Sequence, residues 1–273
     1  MSRPRPTSLA VLSAVVAVLY APLAFLVVAG INRNPLSTSW QGATGRWYRA
    51  MWDDEALRRS VAVSLRLAAV TTVVAVTAGT AMALAMRTSP LVQRWARGTA
   101  GMRVATPEIV IATGLAAVMP SAGVDFGFRP MVVAHVAYLT AYVVLIVGSR
   151  VATLDPALDL AAADLGAGPW STLRRVVLPD LSPAIGAAAL LVMAFSLDDV
   201  ALSLALRGPT DTTLPVYLYS VVQRRVTPAV YAVGTMVVVV GAALFLTSMA
   251  LHNLFVSTSR RAREPRGRRA ARR

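Results

Sequence analysis

The sequence predicts an all-α integral membrane protein with about six transmembrane helices and one long helix–turn–helix loop on the cytoplasmic side. Three observations carry this. The chain has 273 residues, 56% of them hydrophobic and only 15% charged, whereas a soluble domain carries about a quarter charged residues. Its mean hydropathy is +0.60, and several apolar runs approach or exceed the roughly 20 residues that cross a bilayer as a helix. All 27 basic residues are arginine, and they concentrate in alternate loops, which places both termini in the cytoplasm by the positive-inside bias.

Six spans follow in order: Leu9–Gly30 with Pro22 as a kink, Ser60–Met86, Met102–Met119 with Pro107 and Glu108 inside it, Met131–Gly148, Ser182–Leu206 and Pro228–Val256. The first is too long for a signal-peptide core and lacks a cleavage site. Residues 1–59 form an N-terminal tail, the first span and an outer loop. Residues 60–256 form the membrane core, and 257–273 a basic cytoplasmic tail. The outer loop "SWQGATGRWYRAMWDDEALRRS" places Trp40, Trp47 and Trp52 as interfacial anchors, with a short helix near Asp53–Arg59. The tail "RRAREPRGRRAARR" holds eight of the arginines behind the net charge of +14, and reads as a disordered segment drawn to anionic lipid headgroups rather than to nucleic acid.

Composition also excludes chemistry. With no cysteine there are no disulfides, thiol nucleophiles or thiolate metal sites. His135 and His252 are too few and too scattered for a metal cluster, and are expected to be packed or interfacial. There is no phosphate-cradling GxxxxGK[ST] motif and no nucleophile–base pair, so neither an enzyme nor a bound cofactor is expected. Glycines at 79, 114, 234 and 241 are expected to permit close packing or bending.

The loop at 152–181 reads "ATLDPALDLAAADLGAGPWSTLRRVVLPDL". Asp155-Pro156 is an N-cap followed by proline at the first helical position. Leu154, Leu158, Ala161, Ala162 and Leu165 recur at helical spacing as one apolar face. Gly166-Ala167-Gly168-Pro169 ends that helix, and Pro169 opens a second through Arg175 that stops before Leu178-Pro179. An apolar face with no membrane to enter is expected to dock into another protein's groove.

This loop resembles the signature of permease subunits of bacterial ABC importers: Glu-Ala-Ala, three residues, Gly, nine residues, Ile, any residue, Leu-Pro. Here it reads Leu160-Ala161-Ala162, Gly166, Val176 and Leu178-Pro179 with every spacing kept. Leu160 replaces the family glutamate, and Asp159 lies one position earlier. Further stretches, "WQG" at 40–42, "WY" at 47–48, "TPEIV" at 106–110, "DLGA" at 164–167, "SLDDV" at 196–200 and "GPTDTTLPVYLYS" at 208–220, resemble permeases of spermidine/putrescine importers. The resemblance implies the type I ABC importer permease fold. It also implies a partner set: a dimer of an ATP-binding subunit, a second homologous permease, an extracytoplasmic substrate-binding protein, and membrane lipid. It assigns coupling to the ATPase to Asp159, Ala161, Ala162, Asp164, Leu165, Gly166, Leu178 and Pro179. Segment 208–220 is then expected at the outer face, with Tyr217 and Tyr219 as interfacial anchors.

Asp198 and Asp199 stand side by side in the apolar "AFSLDDVALSLAL". An ionised side chain at the centre of a transmembrane helix costs roughly 2.5–3.5 kcal/mol on insertion scales, so such acids mark function or a partner. Counted from Ser182, Asp198 lies about 24 Å along the helix axis, in the outer half of the membrane. Ser196, Asp199 and Ser203 share one face by their spacing, which favours Asp199 for a cargo pathway and turns Asp198 toward a neighbouring helix, or the two exchange these roles. Glu108 is a candidate second station. The alternative is that these acids pair with Arg66, Arg103 or an arginine of a partner and fix helix register. Other readings are import of a different small solute, a channel or scaffold subunit without ATP coupling, or, least supported, a membrane enzyme.

Overall fold

The computed structural model describes residues 6–34, 39–224 and 228–243. These fall into two compact units, one running to Asp54 and resuming at Arg224, the other Glu55–Gln223.

In the first unit α1 covers Pro6–Gly30 and α2 Arg46–Asp53, and a further helix covers Pro228–Ala243. α1 and this last helix touch through glycines. A Cβ on Gly30 would lie 3.1 Å from the Ala232 nitrogen, and one on Gly234 would lie 2.8 Å from Leu26. Phe25 meets Tyr231 edge-on at 6.0 Å. The Trp47 indole donates to the Asn32 carbonyl at 2.8 Å, while Trp40 and Trp52 are exposed. The short helix therefore precedes the charged stretch expected to form it. Asp54 is extended (φ −74°, ψ 105°) and ends α2. Glu55 then opens the long α3, with a Glu55–Arg59 pair at 2.7 Å in its first turn.

The second unit is built on α3 (Glu55–Ala85), α6 (Phe128–Val151) and α9 (Leu178–Asp198). Without a hydrophobic drive between helices in lipid, small residues that let backbones approach supply the packing. On α3, Ala75, Gly79 and Ala83 recur every fourth residue, and both alanines are fully buried. A Cβ on Gly79 would fall 2.5 Å from that of Val143 on α6. Gly114 and Gly241 have open space around them and do not share this role. Val143, Val147, Leu181 and Val192 complete the core.

Three spans differ from their expected course. The third is not one helix over Met102–Met119. α4 (Pro90–Ala105) and α5 (Glu108–Ser121) meet at 99°. The residue before a proline is pushed out of the helical region, and Thr106, before Pro107, is extended (φ −86°, ψ 125°). The fifth does not run Ser182–Leu206. It ends at Asp198, and α10 (Ala201–Leu206) begins after a break. Nor does a second elbow helix stop before Leu178. Pro169 opens α8 (Pro169–Thr172), a π turn follows over Leu173–Val177, and the path continues into α9 as one span, Pro169–Asp198. In the π turn the Leu178 N–H donates to the Leu173 carbonyl five residues back. This wider register admits Pro179, which has no N–H to offer.

Among the described residues four helices are long and apolar enough to cross a membrane, or five if the bent pair α4–α5 is one span. Residues 244–256 of the sixth expected span, His252 and the basic tail lie outside the described residues.

Candidate functional site

Two regions of the second unit gather the residues singled out by sequence. The first is the elbow. Asp155 accepts the Ala157 N–H at 2.9 Å and starts α7 (Ala157–Asp164). Gly166 ends it with φ +76°, a left-handed position that glycine adopts without a Cβ penalty. The Ala167 N–H reaches back to the Ala162 carbonyl at 2.9 Å and the Gly166 N–H to Ala163 at 2.8 Å, closing the helix end. The expected single apolar face divides. Ala162 is buried and Leu154 packs on the core, while Leu158, Ala161, Asp164 and Leu165 face outward, Leu165 at 88% exposure. Leu178 and Pro179 belong to the start of α9.

Arginines tie the elbow to the bundle. Arg87, just past α3, pairs with Asp159 of α7, and Arg150 of α6 pairs with Asp180 of α9 at 2.9 Å. Leu160, at the position of the family glutamate, is exposed. A cleft of about 710 Å³ lies behind α7, lined by Leu84, Leu154, Ala163, Pro169, Leu173 and Val177.

The second region is the break between α9 and α10. Asp199 is buried, and its carboxylate accepts the backbone N–H groups of Leu202 at 3.2 Å and Ser203 at 2.7 Å. It thus satisfies orphan donors at the start of α10. From α6, His135 places Nε2 3.2 Å from the same carboxylate and Nδ1 3.0 Å from the Ser196 hydroxyl. Asp198, one residue away, is exposed. Glu108, at the start of α5, lies within electrostatic range of both Asp199 and Asp198.

Aromatic rings border these acids. Tyr142 meets Phe195 edge-on at 5.2 Å and Tyr138 at 6.3 Å. The Arg103 guanidinium lies over Tyr138, 3.0 Å from the ring centroid. Arg66 is exposed. A partner of the buried aspartate is therefore His135, expected from the sequence only as a packed or interfacial histidine. A lone ionisable side chain inside an apolar span needs a partner, and that signal was available.

Ser196, His135 and Asp199 follow the order of a hydrolytic triad. Each is more than nine-tenths buried, so no substrate carbonyl reaches the hydroxyl, and Asp199 is already engaged as a helix cap. The arrangement acts as a polar core. No group of three or more metal-ligating side chains occurs among the described residues.

A helical membrane bundle, a helix–turn–helix elbow at one end and an acidic, aromatic-lined break far along the spans define a membrane permease. The same fold occurs in a bacterial ABC transporter that imports the acidic polysaccharide alginate, with TM-score 0.70 at 15% identity over 92% of this chain and 99% of that one. Another structure of an alginate ABC transporter, in complex with a pentasaccharide-bound periplasmic protein, matches with TM-score 0.62 at 14% identity, over 88% of this chain and 90% of that one.

Residues 75–261 match the binding-protein-dependent transport system inner membrane component family, and the chain belongs to it as an ABC importer permease, a multi-pass bacterial membrane protein. It is 30% identical to the spermidine/putrescine transport system permease protein PotC of Escherichia coli K12, over 88% of this chain and 91% of that protein. It is 34% identical to the putrescine transport system permease protein PotI of the same strain, over 80% of this chain and 81% of that one.

Proposed function

We propose that this chain forms half of the translocation pathway of an ATP-driven importer for a small polycation, spermidine or putrescine. The observation that carries the reading is the α9–α10 break: exposed Asp198 within electrostatic range of Glu108, with Phe195 one turn earlier on α9 and packed against Tyr142. A polyamine is a string of ammonium groups on an apolar chain. Carboxylates offset its charge as water is removed, and aromatic faces add cation–π attraction. The polyamine permeases among the relatives support that cargo.

In this reading Asp198 and Glu108 meet the cargo while Asp199 holds the backbone that presents Asp198. ATP is bound and hydrolysed by a separate pair of ATPase subunits. The exposed face of α7, with Ala161, Asp164, Leu165 and Gly166, docks into the ATPase, and Ala162, Asp159, Leu178 and Pro179 carry the movement into α9. A second homologous permease completes the pathway, and an extracytoplasmic binding protein delivers cargo at the face opposite the elbow. The elbow and both termini then lie in the cytoplasm. Labelled-spermidine uptake by vesicles holding the full complex tests this. The expected result is amine transport, with D198N and E108Q together raising KM at least about tenfold by removing charge that attracts the cargo. Transport of neutral or anionic solutes without amines refutes it.

A further inference from the structure

We propose that Arg103 is a built-in competitor for the cargo, its guanidinium resting on Tyr138 and within cation–π range of Tyr142, a ring that receives an ammonium group, and vacating this place when cargo enters. The inference rests on the polycation reading above.

Arg103 sits in the last turn of α4, just before the bend that turns the chain by 99° into α5. The bend brings Arg103 and Glu108 to one place, within electrostatic range of each other. The guanidinium carbon is 3.0 Å from the Tyr138 centroid and 5.8 Å from that of Tyr142. Tyr142 is packed against Phe195, one turn of α9 before Asp198. A cation of this chain therefore stands on the rings beside the acids assigned to a cationic cargo.

How Arg103 is held separates a competitor from a structural arginine. A structural guanidinium uses its planar fork of donors on carboxylates or carbonyls. Here Nη1 donates to the Thr106 carbonyl at 3.4 Å, a long contact. Nε and Nη2 are buried with no hydrogen-bond acceptor among the described residues. No ion pair holds Arg103 among the described residues, although three other arginines form one there. The charge is retained by ring faces and by Glu108 at a distance. Such a side chain leaves readily, and while seated it keeps Glu108 partly compensated.

Apparent affinity falls by the fraction of time a site is unavailable. Removing the competitor therefore raises cargo affinity, the opposite of what removing a cargo contact or a structural prop does. The test is spermidine uptake by the reconstituted full complex with R103M. The expected result is a KM about three- to tenfold below wild type, if Arg103 occupies most of the site-time in the free protein. Added ethylguanidinium should restore the wild-type KM in R103M while shifting wild type far less.

A KM unchanged or raised in R103M, or equal ethylguanidinium effects on both proteins, overturns the proposal. If R103M does not assemble, R103K decides: its ammonium stacks less well than a guanidinium, so KM still falls, and a KM at or above wild type overturns the proposal. A wild-type complex that moves no amine overturns the polycation reading and this inference together. A wild-type complex that moves amines while both variants leave KM unlowered overturns the inference alone.

Discussion

The elbow and the α9–α10 break treat carboxylates in opposite ways. At the elbow Asp159 and Asp180 meet Arg87 and Arg150 in partly open surroundings, with the two aspartates 44% and 40% exposed. At the break Asp199 is buried against His135 and two backbone N–H groups. Exposed pairs contribute about 0–1 kcal/mol, so the elbow's links form and break at little cost. A buried acceptor is different, since its loss strands donors at about 1–3 kcal/mol. The arrangement suits a moving joint at one end and a fixed frame at the other. Between them α9 spans about 29 Å from Pro179 to Asp198 at 1.5 Å per residue, one continuous helix joining the two regions.

The sharpest way to break the comparison is at the joint's turn. Gly166 has φ +76° and open space around it, so a side chain there meets backbone strain rather than a clash. In G166V the left-handed cost of roughly 1–2 kcal/mol, larger for a β-branched residue, unwinds the end of α7. Uptake should drop more than about tenfold while the amount of protein in the membrane stays at wild type, because the core is untouched. Normal transport would show that the turn's shape does not matter to coupling.

The frame comes next. D199A leaves the N–H groups of Leu202 and Ser203 without their acceptor, so thermal unfolding of the purified complex should show a loss of about 1–3 kcal/mol. D198N, at an exposed neighbour, should change stability by less than about 0.5 kcal/mol. Equal stability effects at the two positions would erase the distinction between a structural and a presenting aspartate.

The elbow was legible in sequence because its signals are local. Asp155-Pro156 starts a helix, Gly166 ends it, and five positions keep a fixed spacing. The bundle's breaks were less so. Pro107 stood in plain view inside an expected straight span, and the bend follows from what proline does to Thr106. The break at Asp199 has neither proline nor glycine. It exists because a carboxylate caps α10 while His135, more than sixty residues earlier in the chain, satisfies its other side, and no local window contains that pair. Helical spacing accordingly favoured Asp199 for the pathway face, with an exchange of roles left open, and the break buries Asp199 and leaves Asp198 exposed. Pro179 misled in the other direction, read as a stop although a π turn absorbs it.

The smallest expected effect on uptake lies at Asp159, and it tests whether the elbow is as loosely tied as its surroundings imply. Asp159 pairs with Arg87 and stands next to Leu160, where the family carries glutamate. In D159N the charge attraction is lost but an amide oxygen remains to accept from Arg87. Stability should fall by less than about 1 kcal/mol and uptake should stay within about twofold of wild type. The wild-type protein should lose the same small increment when salt is raised to about 1 M, because screening acts on exposed pairs. A larger loss in D159N, insensitive to salt, would mean that Asp159 has taken over the work of the missing glutamate and that the joint is fixed rather than free.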